Sequence, residues 1–203
     1  MFAKGFDKYV GDGDYIVCFA EGFKVRAVIR RDEFMGEPWK EHDGHGPVSE
    51  WTTRDKRPGE RILVADDRLY SKMRRYYDVE RAVTIAKRDG WDAPPYGEGT
   101  PGERAARAVE RNFQALRAWC HDEWYWGSMH LEVSFRAVEL DDCAASLGGI
   151  EVNWPGWGEG DNSHLLDIAN ELLPEAIERA KAVLETLQVR GEAAGVAADE
   201  DAE

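Results

Sequence analysis

Cysteine is scarce in this chain: Cys18, Cys120 and Cys143 are odd in number and far apart, which excludes a disulfide framework and any Cys-x-x-Cys metal knuckle. The sequence expects them reduced and buried. No apolar run approaches the roughly 20 residues that a membrane-spanning helix needs, and Met1 to Val10 lacks the apolar segment of a signal peptide. The expectation is a cytoplasmic protein with no membrane contact. Gly-x-Ser-x-Gly and His-Glu-x-x-His are both absent, so neither a serine-hydrolase elbow nor a zinc-protease helix is encoded. No repeat of fixed length recurs.

What is present suits a folded core. Of 203 residues, 43% are apolar and 33% charged, and eight are tryptophan, a composition far from that of a disordered chain. A length of this order fits one domain, expected over residues 1–190, followed by a flexible acidic tail over 191–203. The expected fold is α+β: antiparallel hairpins forming a sheet of about six strands, with three main helices packed on it.

Tyr15–Phe19 and Phe23–Ile29 alternate as strands around Glu21-Gly22, with Phe23, Val25, Ala27 and Ile29 sharing a face. Arg61–Asp66 and Met73–Tyr77 read as a second strand pair. Asp78 can then cap a helix built on Val79, Ala82, Val83 and Ala86 and stopped by Gly90. Thr100, Pro101 and Glu103 form a capping-box signature ahead of an apolar stripe of Ala106, Val109, Phe113, Leu116 and Cys120. Met129–Ala137 alternates again, with a turn expected near Leu140-Asp141-Asp142 and a return strand from Cys143 to Val152. Asp161 or Ser163 can cap the last helix, which Pro174 should kink or break.

Between the first two strand pairs lies a connection of nearly thirty residues without periodicity, and loops this long inside a compact domain tend to be functional or disordered. At its centre, Trp39-Lys-Glu-His-Asp-Gly-His-Gly-Pro-Val-Ser-Glu-Trp51 packs two histidines and an aspartate between tryptophan anchors. His42, Asp43, His45, Ser49, Glu50, Trp51 and Arg54 are the binding candidates of this loop. His42, Asp43 and His45 are also of the types that a divalent metal accepts, with His121 the nearest plausible addition in type, although the spacing matches no known ligand motif. A metal is the one cofactor the sequence allows, and otherwise it calls for none. In the plainer reading the two imidazoles hydrogen-bond to the backbone and pin the loop.

Arg54, Lys56, Arg57, Arg61, Arg68, Lys72, Arg74 and Arg75 make a basic middle on a protein of net charge −14. Neighbouring carboxylates such as Glu60 can pair with them, and the acidic remainder repels polyanions, so nucleic acid is not the expected ligand. Acidic surfaces can instead meet a partner protein's basic groove. Trp119, Trp124, Tyr125 and Trp126 crowd one stretch, which allows a homodimer interface as well as plain core packing.

His42-Asp-Gly-His-Gly-Pro-Val-Ser-Glu-Trp51, Arg54-Asp-Lys-Arg-Pro-Gly-Glu60, Gly90-Trp-Asp-Ala93, Leu116-Arg-Ala-Trp-Cys120 and Glu171-Leu-Leu-Pro-Glu175 together resemble a family of uncharacterised phage- and prophage-encoded proteins, over roughly Phe34 to Leu187. The resemblance implies a context and no catalytic residues: a small accessory protein made in the host bacterial cell, where such proteins bind and redirect host proteins, defence factors among them. The expected function is therefore binding of a host protein, without chemistry. The reading from another class is a metal-dependent hydrolase or nucleotide-binding enzyme built on His42, Asp43 and His45.

Overall fold

The computed structural model describes residues 1–41, 43–66, 72–155 and 161–200, with side chains described up to 188 and not at Glu41. The fold is α+β, and the chain expected as a single domain divides into two compact units. One comprises Met1–Asp32, Trp126–Asn153 and Glu159–Glu203; the other comprises Glu33–Tyr125 with Trp154–Gly158. The six expected strands are present but lie in two sheets, of four and two strands, and each sheet carries its own helices.

In the first unit, β1 (Tyr15–Ala20) and β2 (Phe23–Arg31) form the expected hairpin, followed in space by β5 (Tyr125–Phe135) and β6 (Val138–Val152) in the order β1-β2-β5-β6. The period-two reading holds: Phe23, Val25, Ala27 and Ile29 are buried, as are Met129, Leu131 and Val133. The β5–β6 turn falls at Arg136-Ala137, not at Leu140-Asp142. Both turn residues adopt left-handed backbone, φ 47° and 65°, the geometry that lets a two-residue turn follow strand twist. Glycine or asparagine usually signals such a turn, and neither is present.

α4 (Ser163–Glu200) packs on β6 and buries Leu165, Ala169, Leu173, Ala176, Ile177 and Ala180. It continues through Pro174, where a kink or a break was expected, and reaches Glu200. The stripe of small and branched apolar residues on both sides of Pro174 supplies burial enough to offset the missing backbone bond, while 191–200 is rich in alanine and glutamate, strong helix formers. Three asparagines tie the N-terminal segment to this unit. Asn170 accepts from Phe2 N at 2.8 Å, Asn153 accepts from Val10 N at 2.9 Å, and Asn162 donates to Lys8 O at 3.1 Å.

In the second unit, β3 (Glu60–Asp66) pairs antiparallel with β4 (Met73–Asp78). Asp78 caps α2 (Val79–Asp89) by accepting from Arg81 N, and Gly90 closes it in the left-handed conformation, φ 70°. Thr100 and Glu103 complete the capping box of α3 (Pro101–Cys120). The stripe of α3 starts one residue earlier than periodicity alone places it: Ala105 is buried and Ala106 exposed. The reason is steric, since Ala105 shares a core with Ala82 and Ala86 of α2, where only small side chains let two helices approach closely.

Candidate functional site

The Trp39–Trp51 segment belongs to the second unit. It opens with a single helical turn, α1 (Pro38–Glu41), and then runs antiparallel to β4 as a broken third strand. Ser49 N donates to Tyr76 O at 2.8 Å, Thr52 N donates to Arg74 O at 3.0 Å, and Arg74 N donates back to Thr52 O at 2.8 Å. Asp78 N reaches Pro47 O at 3.0 Å. A segment without strand periodicity thus satisfies its backbone on the free edge of the β3–β4 pair, which explains how a glycine- and proline-rich sequence holds one shape.

Asn112 of α3 fixes the middle of this segment. Its Oδ1 accepts from Gly46 N at 3.0 Å and from the Tyr77 hydroxyl at 2.9 Å. The backbone N–H can only donate, so the amide orientation is settled and Nδ2 faces His45 Nδ1 at 2.7 Å as the donor. Nδ1 therefore offers its lone pair, and the imidazole proton sits on Nε2. Tyr77 is fully buried, and burial pushes its hydroxyl well above the usual phenol range, keeping it a neutral donor to Asn112. Gly46 is required by the same contact: a Cβ there would stand 2.5 Å from Tyr77 Cζ.

The other candidates are also engaged. Ser49 Oγ accepts from Tyr76 N and donates to Glu50 O, both at 2.9 Å, so its hydroxyl serves backbone pairing. Glu50 meets Lys40 Nζ at 3.1 Å. Arg54 forks onto both oxygens of Glu60, at 2.7 and 2.6 Å, and its guanidinium lies 4.6 Å from the Tyr76 ring centre. The Arg54 contact holds the Glu60 carboxyl below the usual range. Trp39 and Trp51 flank Arg75, whose guanidinium carbon lies 5.1 and 5.0 Å from their ring centres and whose Nη1 is 2.5 Å from Glu37. Arg75 is 6% exposed, a buried cation between two aromatic faces.

Asp43 is exposed, and His121 is an exposed residue at the C-terminal cap of α3. His42 lies outside the described residues. Among the described residues no three of His, Cys, Asp and Glu come together in a way that could hold a metal ion. Of the basic run, Arg54 pairs with Glu60, a partner the sequence suggested, whereas Arg75 pairs with Glu37 and Arg61 with Glu110, partners it did not.

Asn112, Tyr77 and Glu37 are what sequence reasoning missed. Asn112 is the one signal it offered, a polar residue next to the buried Phe113 of an apolar stripe. Trp124, Tyr125 and Trp126 are buried rather than displayed, with Trp124 donating to Ala115 O at 2.7 Å, so the aromatic crowding contributes to core packing. No helix among the described residues is long and apolar enough to cross a membrane. Comparison of the chain with protein-family models, with curated proteins and with solved structures finds no match.

Proposed function

We propose that this chain is an accessory protein that binds a host protein bearing a basic surface, in the phage or prophage setting that its sequence resemblance implies, and that the Trp39–Trp51 segment is scaffold. The observation that carries the proposal is on α4. Asp167, Glu171 and Glu175 are exposed at helical spacing, on a chain of net charge −14. Asp167 to Glu175 covers about 12 Å of helix axis. The opposite face of α4 is committed to its own sheet, so the stripe is fixed in orientation and cannot relax by turning away. Like charges at this spacing cost a helix stability unless something cationic meets them.

The contacts that His45, Ser49, Arg54 and Trp51 make within the unit support the scaffold part of the reading. Each makes a contact that orders the segment, and a rigid surface binds with less ordering cost than a mobile one.

The test is affinity capture from bacterial extract by wild type and by Asp167→Lys/Glu171→Lys/Glu175→Lys. The expected result is a specific protein retained by wild type, released by molar salt and lost on charge reversal. Capture indifferent to the reversal overturns the reading. Elemental analysis of the same tag-free protein adds a second check: a near-stoichiometric metal that disappears in His42→Ala/His45→Ala would replace binding with metal-dependent chemistry.

A further inference from the structure

Ser128, His130 and Cys143 form a connected row on the first unit's sheet. Ser128 and His130 lie two apart on β5, hence on one face, and Cys143 stands on β6 as far beyond the Arg136-Ala137 turn as His130 stands before it. Ser128 Oγ is 2.9 Å from His130 Nε2, and Cys143 Sγ is 3.3 Å from His130 Nδ1. Two proton arrangements satisfy both contacts, and in the one that suits activation of the thiol, Sγ–H donates to Nδ1 and Nε2–H donates to the serine hydroxyl oxygen. This is a nucleophile beside a base whose far nitrogen is held by a third group.

We infer that Cys143 is a reactive thiol, with His130 as its base and Ser128 positioning the ring, and that it is a site of reversible modification by low-molecular-weight disulfides. The Cys143 proton moves to His130 Nδ1, and the thiolate attacks one sulfur of the incoming disulfide. A Cys143–S–S bond forms as the reagent's own S–S bond breaks. The departing sulfur leaves with the electron pair and takes the proton back from His130 as a free thiol. Cys143 and one sulfur of the reagent end as a mixed disulfide, and the other sulfur is reduced.

The surroundings fit an anionic sulfur and a transiently cationic ring. On β2, Val28 stands opposite His130, with Arg30 opposite Ser128 and Arg26 opposite Glu132. Glu132 is engaged by Arg26 at 3.0 Å and Arg30 at 3.8 Å. On β6, Asp141 is bound by Arg179 at 2.7 Å and accepts from Cys143 N at 2.9 Å. Asp142 is exposed. The nearest carboxylates at these positions are thus largely met by guanidinium groups, which leaves them little to oppose a thiolate. Cys143 and Cys120 are both half-buried and Cys18 is buried, but only Cys143 has an imidazole against its sulfur among the described contacts, while burial raises Cys18 above the ordinary thiol range and pushes Cys120 up to about 12.

The experiment is timed treatment of tag-free protein with oxidised glutathione near neutral pH, followed by peptide mass mapping. Modification is expected at Cys143 at least about tenfold faster than at Cys18 or Cys120. His130→Gln should slow it about tenfold or more and change the pH profile of the rate, with Ser128→Ala between the two. Equal rates at the three cysteines overturn the inference, as does a His130→Gln protein, folded by circular dichroism, whose rate and pH profile match wild type. If His130→Gln does not fold, Ser128→Ala decides in its place: an unaltered rate and profile there overturn the inference. The outcome is independent of partner capture, so neither proposal stands or falls with the other.

Discussion

Asn112 Nδ2 donates to His45 Nδ1 at 2.7 Å, while Asn112 Oδ1 accepts from both Gly46 and Tyr77. One helical side chain thus joins the histidine segment to β4. Asn112→Ala removes all three bonds and strands a buried hydroxyl, and should destabilise the protein by about 2–3 kcal/mol in urea unfolding. His45→Ala deletes one bond and should cost about 1 kcal/mol. If instead the histidine variant left stability untouched and abolished capture of the partner, the segment would be a recognition site and not scaffold.

Arg75 poses a different energetic problem, because a buried guanidinium must be matched by a carboxylate. Glu37 supplies it at 2.5 Å, and the Trp39 and Trp51 rings cover the faces. Glu37→Ala leaves the cation buried and unmatched and should cost about 3 kcal/mol, whereas Glu37→Ala/Arg75→Met should recover most of that loss, since an apolar side chain needs no partner. Tryptophan fluorescence during denaturant unfolding reads both. A double variant less stable than Glu37→Ala would mean that the cation–aromatic contacts outweigh the charge match.

Local chemistry was the legible part of this sequence. Asp78 with Gly90, and Thr100 with Glu103, are read from neighbours a few residues away, and the alternation of Phe23–Ile29 and Met129–Val133 follows from which face is buried. What depends on distant residues was not legible. The Arg136-Ala137 turn carries no glycine or asparagine, and placing the turn near Leu140-Asp142 separates His130 from Cys143, which hides their contact. Asn112 looks like any polar helix residue until Tyr77 and Gly46 are brought to it. The six strands were countable, but their division between two sheets was not, because alternation specifies a face and not a neighbour.

His164 sets a pH dependence with a definite sign. Its Nε2–H donates to Glu151 O at 3.0 Å, and burial holds the imidazole below its ordinary pKa of 6.5, against the opposing pull of that carbonyl. Just below 6.5 the unfolded chain therefore binds more protons than the native one. Stability should rise with pH through this window and be lost as pH falls through it. The Glu151 carboxyl is displaced upward by its own burial, so the stability it contributes is fully present below its ordinary 4.5 and is lost as pH rises above that value, the opposite slope. Thermal unfolding across pH should show the histidine slope in wild type and a flatter curve in His164→Gln. An unchanged curve would place the controlling group elsewhere.

Pro174 lies inside the long helix α4, and it has no N–H to give the carbonyl of Asn170 one turn earlier. The side chain of Asn170 is already committed, accepting from Phe2 N at 2.8 Å and donating to Leu166 O at 3.1 Å, so it does not itself replace the missing backbone bond. Pro174 is exposed and fills no part of the core. Pro174→Ala should therefore restore a helical hydrogen bond without opening a cavity. The gain should be about 1–2 kcal/mol, below the full interior-proline penalty of about 3 kcal/mol because the variant also frees the unfolded chain. Urea unfolding measures it directly. A loss of stability on substitution would show that the proline ring itself sets the path of α4 across β6, and that the helix depends on a bend there rather than tolerating one.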